Sequence, residues 1–178
     1  KYVSKSTMSF SFSVILSLYG FINSFCSSSV TYSLGIVFIK PISFVNSLIY
    51  TKTLAEIYKT QLNPTISFLH QPGTRRFSLA LDVSEVFKPL IADRLIFSLL
   101  NRNQINANSF VDGLNGLQLT QKASRTIMEE LDKRLQQTIS HKELKKDVSY
   151  QFLIRLELYK LIKHIIGEKE YKGFEIWW

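Results

Sequence analysis

Charge is distributed along this chain in two sharply different styles. From Ser6 to Ile39 there is no Asp, Glu, Lys or Arg, and every acidic residue lies at Glu56 or later. An uncharged run of that length is open to three readings. It is long enough to cross a bilayer or serve as a signal segment, although Ser and Asn interrupt it often and Gly20 and Asn23 sit within it. It carries strand-forming residues, most densely from Thr31 to Ile39. It can also be a stretch foreign to the fold that follows, such as the product of a reading-frame error. The residues alone do not choose among these, and residues 1–41 are left unassigned.

From Ile42 onward the pattern is that of a helical domain. Asn46 to Gln61 places Leu48, Ile49, Leu54, Ile57 and Tyr58 near helical spacing, and Asn63-Pro64 stops it. The loop His70-Gln71-Pro72-Gly73-Thr74-Arg75-Arg76 contains a Pro-Gly turn signal. Ser78 and Asp82 open a long helix to about Asn101, which Pro89 interrupts and should bend. Asn101 to Leu119 is polar and reads mostly as loop. Ala123 to Thr138 repeats Ile127, Leu131, Leu135 and Ile139. Ser149 to Ile166 repeats Phe152, Leu156, Tyr159, Ile162 and Ile166, with Gly167 as a natural stop. The expected fold is mainly α over residues 42–178.

The 178 residues suit one domain with a real core. A net charge of +8 fits a polyanionic partner, nucleic acid or an anionic membrane surface. The single cysteine, Cys26, excludes an internal disulfide framework and a cysteine-rich zinc site. A cytoplasmic location is the simplest expectation.

Candidate chemistry gathers around the Pro-Gly loop and the helix after it. Asp82 and Glu85 are three apart and share one helical face, which Lys88 extends by a turn. His70 sits at the start of the loop. A carboxylate and an imidazole converging at such a corner can hold a divalent metal that polarises a phosphodiester. Lys88, Arg75 and Arg76 would then contact phosphates. The plain alternative is a solvated face of an amphipathic helix. No P-loop, dinucleotide fingerprint, nucleophile elbow or HExxH motif is present. Glu129, Glu130, Asp132, Lys133 and Arg134 read as an exposed charged face. His141 and His164 read as surface or packing histidines, and Tyr150, Tyr159, Trp177 and Trp178 as core or interface aromatics.

A family resemblance rests on many motifs in order. They are Asn46-Ser47-Leu48-Ile49-Tyr50, Glu56-Ile57-Tyr58, Leu62-Asn63-Pro64, Phe68-Leu69-His70, Pro72-Gly73 and Arg76. Ser78-Leu79-Ala80-Leu81-Asp82, Glu85, Phe87-Lys88-Pro89 and Asp93-Arg94 follow. Leu114-Asn115-Gly116, Ser149 to Lys163 and the ending Trp177-Trp178 complete the set. From about Ile42 to Trp178 the chain resembles the CRISPR-associated nuclease-integrase of spacer acquisition, in its C-terminal helical catalytic domain.

The resemblance implies a metal site with its histidine at His70 and its helix carboxylate at Glu85, Asp82 as a supporting acid, and Lys88 as a phosphate contact. It implies Mg²⁺ or Mn²⁺ as cofactor. It implies DNA, both protospacer and CRISPR repeat, as substrate for cleavage and transesterification. A smaller CRISPR-associated partner and a homodimer are also implied, and no membrane. The family's third ligand is a glutamate upstream of the histidine, and no acid precedes Glu56. Glu56 matches a different family position. The family's N-terminal β-rich domain is not visible in this sequence either. These departures leave two functional expectations open: an integrase subunit or fragment, and a DNA-binding remnant without catalysis. A membrane-anchored helical protein is a third.

Overall fold

The computed structural model describes residues 29–67, 77–113, 116–141 and 144–174. Expectations for Cys26, the Pro-Gly loop, Trp177 and Trp178 lie outside them. The architecture is mainly α, with two small hairpins set between the later helices.

The first helix, α1, runs from Ser29–Ile57. It includes Thr31 to Ile39, so the strand reading of that segment is corrected to helix, and residues 41 and 42 lie within one element. Val45, Ile49, Thr53 and Ile57 are buried and recur every fourth residue, a stripe that faces the core. Serine and threonine on the opposite face are tolerated because they bond back to the preceding turn. Ser47 Oγ donates to the Ser43 carbonyl at 3.0 Å and Thr51 Oγ1 to the Ser47 carbonyl at 2.9 Å. No helix among the described residues is long and apolar enough to cross a membrane.

The long helix expected from Ser78 to Asn101 is three segments in line. Helix α2 spans Ser78–Phe87, a π-helical segment spans Lys88–Asp93, and α3 spans Arg94–Asn101. Pro89 explains the break. It has no N–H to donate and its ring crowds the carbonyl four residues earlier, so the helix widens there. Leu79, Ala80, Val83, Phe87, Leu90, Ile91, Leu95, Ile96 and Leu99 bury one side of all three segments.

The polar stretch after Asn101 is more ordered than its composition suggests. Asn106 caps a short 3-10 turn, and Phe110–Gly113 (β1) pairs antiparallel with Gly116–Leu119 (β2), Phe110 opposite Leu119. Helix α4, Gln121–Gln136, starts at Thr120, whose hydroxyl accepts from the Ala123 N–H at 3.2 Å. A second hairpin pairs Thr138–His141 (β3) with Lys146–Ser149 (β4). Ser149 then caps α5, Tyr150–Ile165.

Helix α5 buries a different face from the one its spacing suggested. Tyr150, Leu153, Ile154, Glu157, Leu158 and Leu161 point inward, whereas Phe152, Tyr159 and Ile166 are exposed. This helix carries apolar residues around most of its circumference, so two stripes fit helical spacing and packing selects one. Gly167, at φ 77°, closes α5. Its N–H donates to the His164 carbonyl at 3.1 Å and the Glu168 N–H to the Lys163 carbonyl at 2.9 Å, a Schellman closure.

Candidate active site

Asp82 and Glu85 stand one turn apart on α2, and Lys88 opens the π segment a turn further on. Asp82 is buried, while the Glu85 side chain is 40% exposed. The Lys88 side chain is mostly covered and its ammonium donates to Glu85 Oε1, so acid and base form an ion pair along one helix edge. His70, Arg75 and Arg76 lie outside the described residues.

The π segment adds a residue to this edge whose role spacing did not suggest. In an α-helix, positions five apart diverge by roughly 140°. The wider π turn brings Asp93 within the field of Lys88. Burial pushes the Asp93 carboxyl above the ordinary aspartate range, and the Lys88 charge partly opposes that rise. Pro89 was the available signal, because a proline inside a helix that continues demands such an irregularity.

Glu56, excluded from the ligand set by its position, is fully buried and fully engaged. Its Oε1 accepts from Lys59 Nζ at 2.7 Å and Gln151 Nε2 at 2.8 Å, and its Oε2 from Arg155 Nε at 2.8 Å. Burial pushes its pKa up, but the hydrogen bonds from Arg155, Lys59 and Gln151 outweigh burial and hold it below the ordinary glutamate value. Among the described residues, no three His, Cys, Asp or Glu side chains converge as a metal-holding group.

The other histidines serve local structure. His141 Nδ1 accepts from the Leu144 N–H at 3.2 Å, and His164 Nδ1 from the Tyr171 N–H at 3.3 Å. The charged face of α4 is ion-paired in part, Lys133 to Glu130 at 2.6 Å and Asp132 to Lys52 of α1 at 2.8 Å. Arg134 departs from that reading. Its guanidinium lies over the Tyr150 ring at 5.6 Å from the centroid, and its Nε is buried.

Residues 40–133, more than half of the chain, match the family profile described as CRISPR associated protein Cas1. The chain is 65% identical over 137 residues to the CRISPR-associated endonuclease Cas1 of Fusobacterium nucleatum, covering 77% of this chain and 40% of that protein. It is 49% identical over 136 residues to that of Methanocaldococcus jannaschii, covering 76% and 42%. The chain thus spans about two fifths of the length of these relatives. Among solved structures, a Cas1 protein from Thermotoga maritima superposes with a TM-score of 0.70 at 43% identity, covering 74% of this chain and 40% of that one. A casposase bound to integration product shares the fold, at a TM-score of 0.68 and 24% identity over 77% of this chain and 41% of its own.

Proposed function

The chain belongs to the CRISPR-associated Cas1 family, and on that footing we propose that it is the helical portion of a metal-dependent DNA endonuclease-integrase that inserts spacers into a CRISPR array. The observation that carries this reading is the helix edge formed by Asp82, Glu85 and Lys88. One exposed carboxylate, one sheltered acid and one cation stand within two turns.

The donor chemistry fits a hard divalent cation, because a half-exposed carboxylate is the ligand type that Mg²⁺ and Mn²⁺ prefer. Glu85 would hold it with His70, and Asp82 would support Glu85 from the preceding turn. The bound ion supplies Lewis-acid polarisation of a phosphodiester. The chain's own residues orient the DNA. Lys88 exchanges its Glu85 partner for a phosphate oxygen, with Asp93 within its electrostatic reach. Arg75 and Arg76 hold neighbouring phosphates. The 3′-hydroxyl of a short duplex then attacks a phosphate of the CRISPR repeat. One P–O bond forms and one breaks, so no external energy source is needed. Protospacer and repeat DNA, a smaller CRISPR-associated partner and a second copy of the chain complete the proposed assembly.

A second reading is a DNA-binding remnant of the same family without catalysis. It is favoured by the three donors that already occupy Glu56 and leave that carboxylate engaged in joining helices. Strand transfer and cleavage of a branched duplex with Mn²⁺ separate the two. Activity in the parent that disappears in both His70→Ala and Glu85→Ala supports the enzyme. DNA binding without cleavage by the parent supports the remnant, and cleavage indifferent to both substitutions contradicts the site.

A further inference from the structure

The chain does not end its structural work with α5. Gly167 ends it, and residues 168–174 form an arm that meets α5 at Tyr171 and α2 at Phe174. Two anchors fix the arm. The first is Tyr171, whose N–H donates to His164 Nδ1 at 3.3 Å and whose hydroxyl donates to Glu157 Oε1 at 2.6 Å. Glu157 is buried, and its other oxygen lies 3.0 Å from Lys160 Nζ. Burial, and then the adjoining Glu157 charge, raise the Tyr171 pKa far above the ordinary phenol range, so the hydroxyl remains a proton donor.

The second anchor is Phe174. Its side chain is almost fully buried, and its ring centroid lies 5.7 Å from that of Phe87, with the planes tilted by 35°. Phe87 is itself wholly buried. It is the last residue of α2, between Glu85 and Lys88, at the step where α geometry gives way to π geometry. That step lacks one hydrogen bond of the helical ladder, because Pro89 contributes no N–H to it. A ring packed on Phe87 therefore bears on the placement of Glu85, Lys88 and Asp93 relative to one another.

We propose that the arm is a positioning strap for the helix edge described above, with Tyr171 fixing its course and Phe174 clamping the α2–π junction through Phe87. This rests on the catalytic reading of Glu85 and Lys88. Neither strap residue is placed in contact with DNA, so both act through other residues. Truncation of Phe174 leaves a void beside Phe87 into which the junction can relax. Displacements of about 1 Å at a reacting group can cost roughly 100-fold in rate.

The test is hydrogen exchange read by mass spectrometry on the full chain and on Phe174→Ala, Phe174→Leu and Tyr171→Phe. It is paired with Mn²⁺-dependent cleavage of branched DNA, with Glu85→Ala as reference. In Phe174→Ala, amides of residues 85–93 should exchange at least ~10-fold faster while those of α4 stay unchanged. The leucine variant should restore most protection, and Tyr171→Phe should fall between. Cleavage should fall roughly 10- to 100-fold in turnover, with KM for DNA within about 2-fold. Unchanged exchange at 85–93, equal acceleration throughout the chain, or a loosened junction with undiminished cleavage would each overturn the strap. If the parent does not cleave DNA, the catalytic reading fails by itself, and local exchange still decides whether the arm clamps the junction.

Discussion

Arg155 Nη2 lies 2.8 Å from Glu56 Oε2, an ion pair that fastens the end of α1 to α5 across 99 positions of sequence. Glu56 is fully buried and Arg155 is partly covered, so the pair sits where its carboxylate has no access to water. Lys59 and Gln151 complete the shell of the acid. Arg155→Ala removes one of three donors and should destabilise the domain by about 2 kcal/mol. A fall in melting temperature of roughly 4–8 °C checks this.

The same carboxylate sets an acid limit on stability. Its folded pKa is lowered from the ordinary 4.5 by Arg155, Lys59 and Gln151, which outweigh the opposing effect of burial. A depressed acid contributes stability above its unfolded pKa and loses it as pH falls through the folded value. Melting temperature should therefore drop on acidification from about pH 5 to pH 3. Glu56→Gln, less stable at neutral pH, should show a flatter decline over that range. An identical slope in both proteins would assign the acid limb to other groups.

Thr53 offers a stabilising change. It is fully buried on the inner face of α1, and its hydroxyl has no hydrogen-bond partner among the described residues. A buried polar atom without a partner costs free energy, and valine has nearly the same shape. Thr53→Val should raise stability by about 1 kcal/mol, read as a shift in the urea midpoint at constant slope.

The two faces of α5 should respond differently to truncation. Leu158 is fully buried, whereas Tyr159 is 43% exposed. Leu158→Ala should cost about 2–5 kcal/mol by loss of packing and creation of a cavity. Tyr159→Ala should change stability by about 0.5 kcal/mol or less. Denaturant unfolding of the two variants measures the contrast.

Lys88 should register in DNA binding as a phosphate contact. Each neutralised phosphate of duplex DNA contributes about 0.9 to the slope of log affinity against log salt. Lys88→Ala should flatten that slope by about one such step and weaken binding similarly across sequences. Titration at several salt concentrations gives both quantities.

Much of this was legible in the residues, and the exceptions have physical causes. The helices at Ala123 and Ser149 follow from apolar spacing reinforced by the caps Thr120 and Ser149. The common edge of Asp82, Glu85 and Lys88 follows from helical geometry. The hairpins were not legible, because their strands are four residues long and alternate weakly. The inward face of α5 was not legible either, since packing and not spacing chooses between two apolar stripes. Asp93 joins the candidate edge only because Pro89 forces a π turn. The ion pair of Glu56 with Arg155 joins residues too distant in sequence for any local pattern to reveal.

The most direct measurement compares Mn²⁺-dependent DNA cleavage by the parent chain, Glu85→Gln and Glu56→Gln, at a temperature where circular dichroism shows all three folded. Glu85→Gln should abolish cleavage, whereas Glu56→Gln, whose carboxylate joins α1 to α5, should retain it. Retained cleavage in Glu85→Gln, or its loss in a folded Glu56→Gln alone, would contradict the assignment of the chemistry to the α2 edge.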